Sequence, residues 1–344
     1  MSIVLLAKAL NLSVSTVSRA LNGYDDVAAD TRQRVVAMAK EMNYRPNPGA
    51  RRLVSGTTRA IGVTLPMLEA GDEFIDWMYS GLLAGVSAAL DGSGYYLFAT
   101  SAGSRGMESE MALYRNFIEG RWADALLFVR THTNDPRVKL AQEADIPFVT
   151  YGRTESTEPY TWIDTDNEGA FAMAVNRQLG FGHRRIALLN GPSEYYFAHL
   201  RALGYSRTLQ AAGVEVDPLL IKEGQLTVQS GYNLTMQLLN HPNRPTSIVC
   251  AVDSMAFGAM AACRESGLVV GRDISIIGYS NSPISPFCDP PLTTIEHRVF
   301  ENGRHVGDAL LRLLNGNTQV ASGYLERVTL VPRASDGPRN NVQK

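Results

Sequence analysis

The sequence predicts a small all-α head followed by an α/β body of two parallel-sheet subdomains. Three observations carry this. Residues 1–46 show only helical periodicity, residues 60–334 alternate β-rich apolar runs with helical patterns, and charge is divided unevenly between the two parts. The 344 residues balance 32 Lys/Arg against 34 Asp/Glu, a net −2. Residues 1–59, however, hold nine basic and four acidic side chains, so a +5 head precedes a −7 remainder. A basic head on an acidic body points to a polyanion, nucleic acid, although a solvated charged face has the same composition.

In the head, helical spacing covers residues 4–10, with Leu5, Leu6, Ala9 and Leu10 on one side. Asn11-Leu12 is a tight turn and Ser13 a good N-cap for a second helix over 14–21, which Asn22-Gly23 ends. Asp30 or Thr31 can cap a third helix with Val35, Val36, Ala39 and Met42 at helical spacing. The second helix crowds Ser13, Ser15, Thr16 and Ser18 beside Arg19. Ser and Thr are indifferent helix formers, so propensity does not explain their density. A helix in a major groove does, because short hydroxyls reach phosphates and base edges and an arginine pairs bidentately with guanine. The alternative is a Ser-rich capped helix end with a solvated arginine. The first two helices and their turn form a helix-turn-helix.

In the body, strands are expected at 61–65, 95–100, 125–129, 147–151, 186–190, 247–252, 275–279 and 327–331. Helices are expected between them at 77–90, 108–119, 135–144, 167–179, 198–212, 230–239, 254–266 and 301–314. This rhythm means parallel sheets, and its length favours two similar halves over one large sheet.

Composition also excludes classes. Cys250, Cys263 and Cys288 lack disulfide-framework or zinc spacing, which suggests a reducing cytoplasm. The apolar start, residues 3–7, is too short for a signal-peptide core, and no run reaches the length of a membrane span. No phosphate loop, dinucleotide fingerprint, nucleophile elbow or zinc-protease motif occurs. The six histidines stand apart from metal-spaced partners. The expectation is a cytoplasmic protein that is not an enzyme, with no cofactor, metal or membrane partner.

The blocks SVSTVSRALNG (13–23), DTRQRV (30–35), NYRPN (43–47) and ARRL (50–53) resemble the headpiece of the lac repressor/galactose repressor (LacI/GalR) family, and the similarity continues to about Pro332. The resemblance implies a headpiece over 1–46, a hinge helix and linker over 47–59, a periplasmic-binding-protein-like core over 60–334 that binds effector and dimerises, and a flexible tail over 335–344. It places Val14, Ser15 and Arg19 against base pairs, and Ser13, Thr16, Ser18, Asn22 and Tyr44 among the DNA-contacting or capping groups. It sets Arg51 beside phosphates and Leu53 as a wedge in the minor groove. The hinge segment is too short to be helical alone, so it should form only on DNA. Val4-Leu5, where the family is usually polar, and Pro48-Gly49 depart from the pattern.

For the core, the resemblance implies two subdomains joined by three crossovers, near 151–164, 281–295 and 316–324, with a ligand in the cleft at the strand ends. Phe74, Asp76 and Trp77 suit a sugar ring, aromatic faces stacking on C–H surfaces and carboxylates taking hydroxyls. Equally, Phe74 and Trp77 could anchor the first core helix. Arg153 follows a strand, Arg201 matches the arginine that commonly holds the effector, and Ser280 and His297 occupy contact positions. Asp253 is either a contact or a helix N-cap. Val252, Ser280 and Leu226 stand where the family usually has an amide, an acid and an aromatic.

The resulting expectation is a homodimeric repressor of carbohydrate-utilisation genes that reads a pseudo-palindromic duplex operator and is released by a small sugar-type inducer. The alternatives are a purine- or sugar-phosphate-type corepressor system or an activator and, more remotely, a sugar-binding protein or enzyme without a DNA role. The tail has no heptads, so no tetramer-forming coiled coil is expected.

Overall fold

The computed structural model describes residues 2–21, 23–44, 56–65, 77–102, 106–156, 158–317 and 323–339. Asn22, Arg51, Leu53, Phe74, Asp76 and the hinge segment 47–55 lie outside them. The chain forms two compact units, Met1–Thr58 and Arg59–Lys344.

The head is three helices, α1 (Ile3–Leu10), α2 (Val14–Leu21) and α3 (Ala29–Glu41). Asn11 takes the left-handed conformation at the α1 C-cap (φ 52°), and the chain turns 103° into α2. That bend lies within the range of a helix-turn-helix. Ser13 caps α2, its Oγ accepting from Thr16 N at 3.0 Å. Leu6, Leu10, Val17, Ala20, Val27, Val35 and Ala39 make the core. Of the expected α1 face Leu6 and Leu10 are buried, with Ala7 beside them, whereas Leu5 and Ala9 are exposed; Leu5 is 51% exposed, and Val36 on α3 is 52% exposed. A three-helix bundle this small covers only a narrow stripe of each helix. Neither Asp30 nor Thr31 caps α3, which starts at Ala29 after an Ala28 cap without a side-chain bond. Asp30 instead lies in the first turn, where a carboxylate favours the helix dipole.

The second unit contains two sheets. Among the described residues, the first has the order β11-β5-β4-β3-β1-β2 and is wholly parallel, with β1 Ala60–Leu65, β2 Tyr96–Ser101, β3 Ala125–Val129, β4 Phe148–Tyr151, β5 Thr161–Thr165 and β11 Gly323–Glu326. The second, β12-β10-β9-β8-β6-β7, comprises β6 Ile186–Asn190, β7 Ile221–Glu223, β8 Ser247–Cys250, β9 Ser275–Tyr279, β10 Thr293–Glu296 and an antiparallel β12, Thr329–Val331. Helices cover both faces of each sheet, as continuous apolar strands such as Ala125–Val129 and Ile186–Asn190 require.

Three strands, β5, β10 and β11, lie where the sequence reads as connection, and they move the crossovers. The segments 151–164, 281–295 and 316–324 do not cross between sheets; they lead into β5, β10 and β11 of the sheet or lobe just visited. The chain changes sheet after Thr165, after Glu296 and after Glu326. Thr165, Glu296 and Glu326, the polar last residues of β5, β10 and β11, sit at the crossings. Buried Glu326 ties all three: its carboxylate accepts from Arg298 N (2.7 Å) and from Asn302 Nδ2, and its carbonyl from Asp166 N (2.9 Å).

The expected flexible tail starts too early at 335. Ser335 Oγ donates to Ile276 O (2.7 Å) and accepts from Thr293 N (2.8 Å), Asp336 pairs with Arg177, and Gly337 O lies 3.0 Å from His183 Nε2. Polar composition hid a segment whose hydroxyl and carboxylate satisfy the second sheet; residues 340–344 lie outside the described residues.

In the first lobe, helices α4 (Trp77–Leu90) and α11 (Val299–Leu314) touch through glycine. A Cβ on Gly303 would fall 2.2 Å from Leu82 O, and one on Gly85 2.0 Å from Phe300 O. Gly303→Ala is therefore expected to lower stability by about 1–3 kcal/mol, because backbone cannot give way as a side-chain tip can. A lower urea midpoint at unchanged slope is the check.

Candidate functional site

The strands of the two sheets end at a common cleft of about 1140 Å³, its open mouth included. Its wall combines aromatic rings (Trp77, Tyr79, Phe197, Phe257, Tyr279) with Asp164, Asn167, Arg201 and His297. One side is closed by backbone pairing between lobes: Thr133 N donates to Glu194 O (2.9 Å) and Tyr196 N to Thr131 O (3.1 Å).

Arg201 projects from α8 (Tyr196–Ala211) into the centre of this wall. It is buried, donating from Nε to Asn167 Oδ1 and from Nη1 to Ala251 O, both at 2.8 Å. Its guanidinium lies over the rings of Tyr279 (4.1 Å) and Phe197 (4.5 Å), a cation–π arrangement strengthened by exclusion of water. Burial lowers its pKa, opposed by Tyr279 and Asp164. Asn167, the first residue of α7 (Asn167–Gly180), links Arg201 to Asp164 Oδ1 at 3.2 Å. Thus one hydrogen-bonded chain spans the first crossing.

Arg153 does not line the cleft. It stacks over Trp162 (5.3 Å) and donates from Nε to Asp164 Oδ2 at 2.8 Å, so it acts on the cleft by holding Asp164. Burial raises the pKa of Asp164 although Arg153 opposes it.

Asp253 is in the wall, but its carboxylate is committed inward. Oδ2 accepts from Ser282 N and Ser285 Oγ (2.7 Å each) and Oδ1 from Thr294 Oγ1 (2.6 Å). It does not cap its helix, α10 (Asp253–Glu265), whose N-cap position is Val252. Burial lifts its pKa to about 6 against those three donors. The carboxylate therefore shapes the 282–285 loop rather than waiting for a ligand.

Ser280 lies in the wall with φ +107°, a conformation an L-residue holds only under constraint. Here Ser280 N bonds Ile295 O (2.7 Å) and Oγ bonds Tyr279 O. His297 stacks on Tyr279 (centroids 5.1 Å apart, planes at 22°), with Nδ1 3.5 Å from Tyr151 Oη. Its Nε2 is buried without a hydrogen-bond partner. Burial, aided by the Arg201 charge, pushes its pKa down to about 3, so the ring is neutral. Trp77 opens α4 at the rim.

Asn167, Asp164, Tyr279 and Phe197 escaped sequence reasoning. Only the placement of Asn167 and Asp164 at a strand-to-helix junction pointed to them, and β5 was not legible. Among the described residues no cluster of three His, Cys, Asp or Glu side chains could hold a metal, and no single helix is long and apolar enough to cross a membrane.

In the head, Val14, Ser15 and Arg19 are exposed along α2. Ser13 and Thr16 are joined in the cap (Oγ to Oγ1, 2.8 Å), and Ser18 is half-buried. The Arg19 guanidinium pairs with Asp26. Tyr44 packs against the head core, with N bonded to Ala39 O at 2.8 Å.

Residues 6–47 match the description "bacterial regulatory proteins, lacI family", and residues 175–335 match "periplasmic binding protein-like domain". The chain is 34% identical to the HTH-type transcriptional regulator AglR of Rhizobium meliloti (strain 1021), over 97% of this chain and 93% of that protein. The lac repressor dimer bound to operator and the anti-inducer ONPF superposes with a TM-score of 0.85 at 30% identity, covering 98% of this chain and 99% of that one. The transcriptional regulator CelR–cellobiose complex superposes at 0.75 with 28% identity, covering 97% and 99%. A helix-turn-helix head, two mostly parallel sheets joined by three crossings around a cleft, and similarity over nearly the whole length together show that the chain belongs to the lacI family of bacterial regulatory proteins, a DNA-binding transcriptional regulator and not an enzyme.

Proposed function

We propose that the protein is a homodimeric, cytoplasmic repressor released from a pseudo-palindromic operator by an uncharged carbohydrate bound in the cleft. The observation that carries the effector class is the state of the cleft's polar groups. Asp164 is paired with Arg153, Asp253 is saturated by three donors, and His297 is neutral, while aromatic rings supply flat apolar faces. A sugar meets both demands, its C–H faces stacking and its hydroxyls exchanging hydrogen bonds with Asn167, Asp164 and Arg201. The cellobiose held by CelR is consistent with that chemistry. Within this reading Val14, Ser15 and Arg19 face base pairs and Ser13, Thr16 and Ser18 position the helix on phosphates. Effector binding shifts the lobes only through its differential affinity for two cleft arrangements, typically ~1–3 kcal/mol of coupling.

A thermal-shift screen of neutral mono- and oligosaccharides, sugar phosphates, polyols and purines tests the class. A neutral sugar is expected to raise the melting temperature, a ligand at 100 times its Kd adding about 2.7 kcal/mol. A response to nucleobases or sugar phosphates alone overturns it in favour of a corepressor-type effector.

Dimerisation is supported by the lac repressor dimer and by apolar side chains left bare on one chain. These are Tyr96 and Phe98 on edge strand β2 with Trp122 beside them, and Ile284 and Phe287 in the second lobe, Phe287 being 85% exposed. Phe287→Asp is expected to weaken the dimer at least tenfold in sedimentation equilibrium; an unchanged dissociation constant removes this face from the interface.

A further inference from the structure

The head carries a carboxylate where a DNA-binding surface should avoid one. Asp26 lies on the loop after α2, exposed like its partner Arg19 (54% and 46%), in a head otherwise rich in positive charge. The pair is bidentate: Arg19 Nε donates to Oδ1 at 3.2 Å and Nη2 to Oδ2. The flat face of the guanidinium lies 4.9 Å from the Tyr24 ring centroid. The loop holding both partners is itself fixed. Tyr24 N bonds Arg19 O (3.2 Å), Val27 N bonds Tyr24 O (3.3 Å), Val27 is buried in the core, and Arg32 Nη2 donates to Tyr24 O at 2.7 Å.

A guanidinium presents two edges with parallel N–H pairs. Asp26 occupies the Nε/Nη2 edge, which leaves the Nη1/Nη2 end edge, and one such pair of donors suffices for guanine O6 and N7. An arginine clamped on one edge and one face has already lost the rotamer freedom it would otherwise lose on binding. Nor can it swing toward the nearest phosphate, and the carboxylate opposes sequence-independent attraction to any duplex.

We propose that Asp26 is a positioning residue for operator specificity: it presents Arg19 to one base pair per half-site and suppresses binding to non-operator DNA. This rests on the reading that Arg19 contacts a base.

The full-length protein, Asp26→Asn, Asp26→Glu and Arg19→Ala are each used to select from a pool of randomised duplexes, and their affinity for unselected random-sequence duplex is measured. Wild type is expected to select guanine at one position of each half-site, and Arg19→Ala to lose that preference. Asp26→Asn is expected to weaken it by about fivefold or more, while tightening binding to the random duplex. Asp26→Glu should restore the preference in part. Melting of the head should be little changed, since an exposed pair contributes little to stability. If Arg19→Ala abolishes one preference and Asp26→Asn leaves it intact, the positioning role fails while the base contact stands. If Asp26→Asn tightens selected and random DNA equally, Asp26 is only a competitor for Arg19 and the proposal is overturned. If Arg19→Ala changes no preference, the base-contact reading itself fails.

Discussion

Arg201→Ala is expected to abolish the response to effector and to destabilise the second lobe together. The substitution strands Asn167 Oδ1 and Ala251 O without their buried donor, and an unsatisfied buried acceptor costs roughly 1–3 kcal/mol. It also removes the cation that stacks on Tyr279 and Phe197. Loss of a charged hydrogen bond to ligand, about 1.5–3 kcal/mol, corresponds to affinity lower by roughly ten- to two-hundredfold. Arg201→Lys keeps the charge and loses the fork, so it should retain more stability than ligand affinity. Calorimetric titration with the best sugar from the thermal-shift screen, beside urea denaturation, separates the two effects. Undiminished affinity in Arg201→Ala places the ligand elsewhere.

His297→Gln is expected to change how stability depends on pH. The folded protein holds this imidazole neutral down to about pH 3, whereas an unfolded histidine takes its proton near 6.5. Between those values the unfolded state binds the extra proton, so this contribution is complete above 6.5 and is lost as pH falls toward 3. Asp253 acts oppositely: its folded pKa of about 6 exceeds the ordinary 3.8, so its contribution is complete below 3.8 and is lost as pH rises through 6. Over pH 4–6 the two offset each other in the wild type. Removing the histidine exposes the aspartate, and His297→Gln should gain stability relative to wild type by about 1.4 kcal/mol per pH unit on acidification in this window. Denaturant midpoints at pH 7, 6, 5 and 4 check it. A difference that does not vary with pH means His297 is not held neutral by burial.

The sequence shows most plainly what burial on both faces of a sheet imposes. Ala125–Val129, Ile186–Asn190 and Ser275–Tyr279 are buried at every position, and their apolar runs are read without ambiguity. Thr161–Thr165, Thr293–Glu296 and Gly323–Glu326 are strands as well, but they carry Asp164, Thr294 and Glu326, whose carboxylates and hydroxyl bond outside the strand, Asp164 to Arg153, Thr294 to Asp253 and Glu326 to Arg298. Polarity that serves a contact outside the strand resembles a loop locally, which is why the sequence alone reads the crossovers one strand too early. The cleft follows the same logic. Arg201 was legible through its family resemblance, whereas Asp164 and Asn167 join it only once the first crossing is folded. Asp253 lies in the wall as expected but does not cap its helix, because the backbone amide and two hydroxyls that saturate its carboxylate lie 29, 32 and 41 positions away.

The three crossings also set an order of completion during synthesis. Strand β5 acquires its outer neighbour only when residues 323–326 arrive, roughly 160 residues later, on the order of ten seconds at ribosomal speed. Strand β10 waits for Thr329–Val331, and the second sheet then receives Ser335 and Asp336. Neither lobe can therefore be finished ahead of the other, since both sheets close within the last stretch of the nascent chain. Until then each presents an unpaired strand edge, the feature that invites chains to associate wrongly. A chain ending prematurely near residue 320 leaves both edges open at once, so a small loss at the C-terminus should be felt as far away as the strand that follows Tyr160.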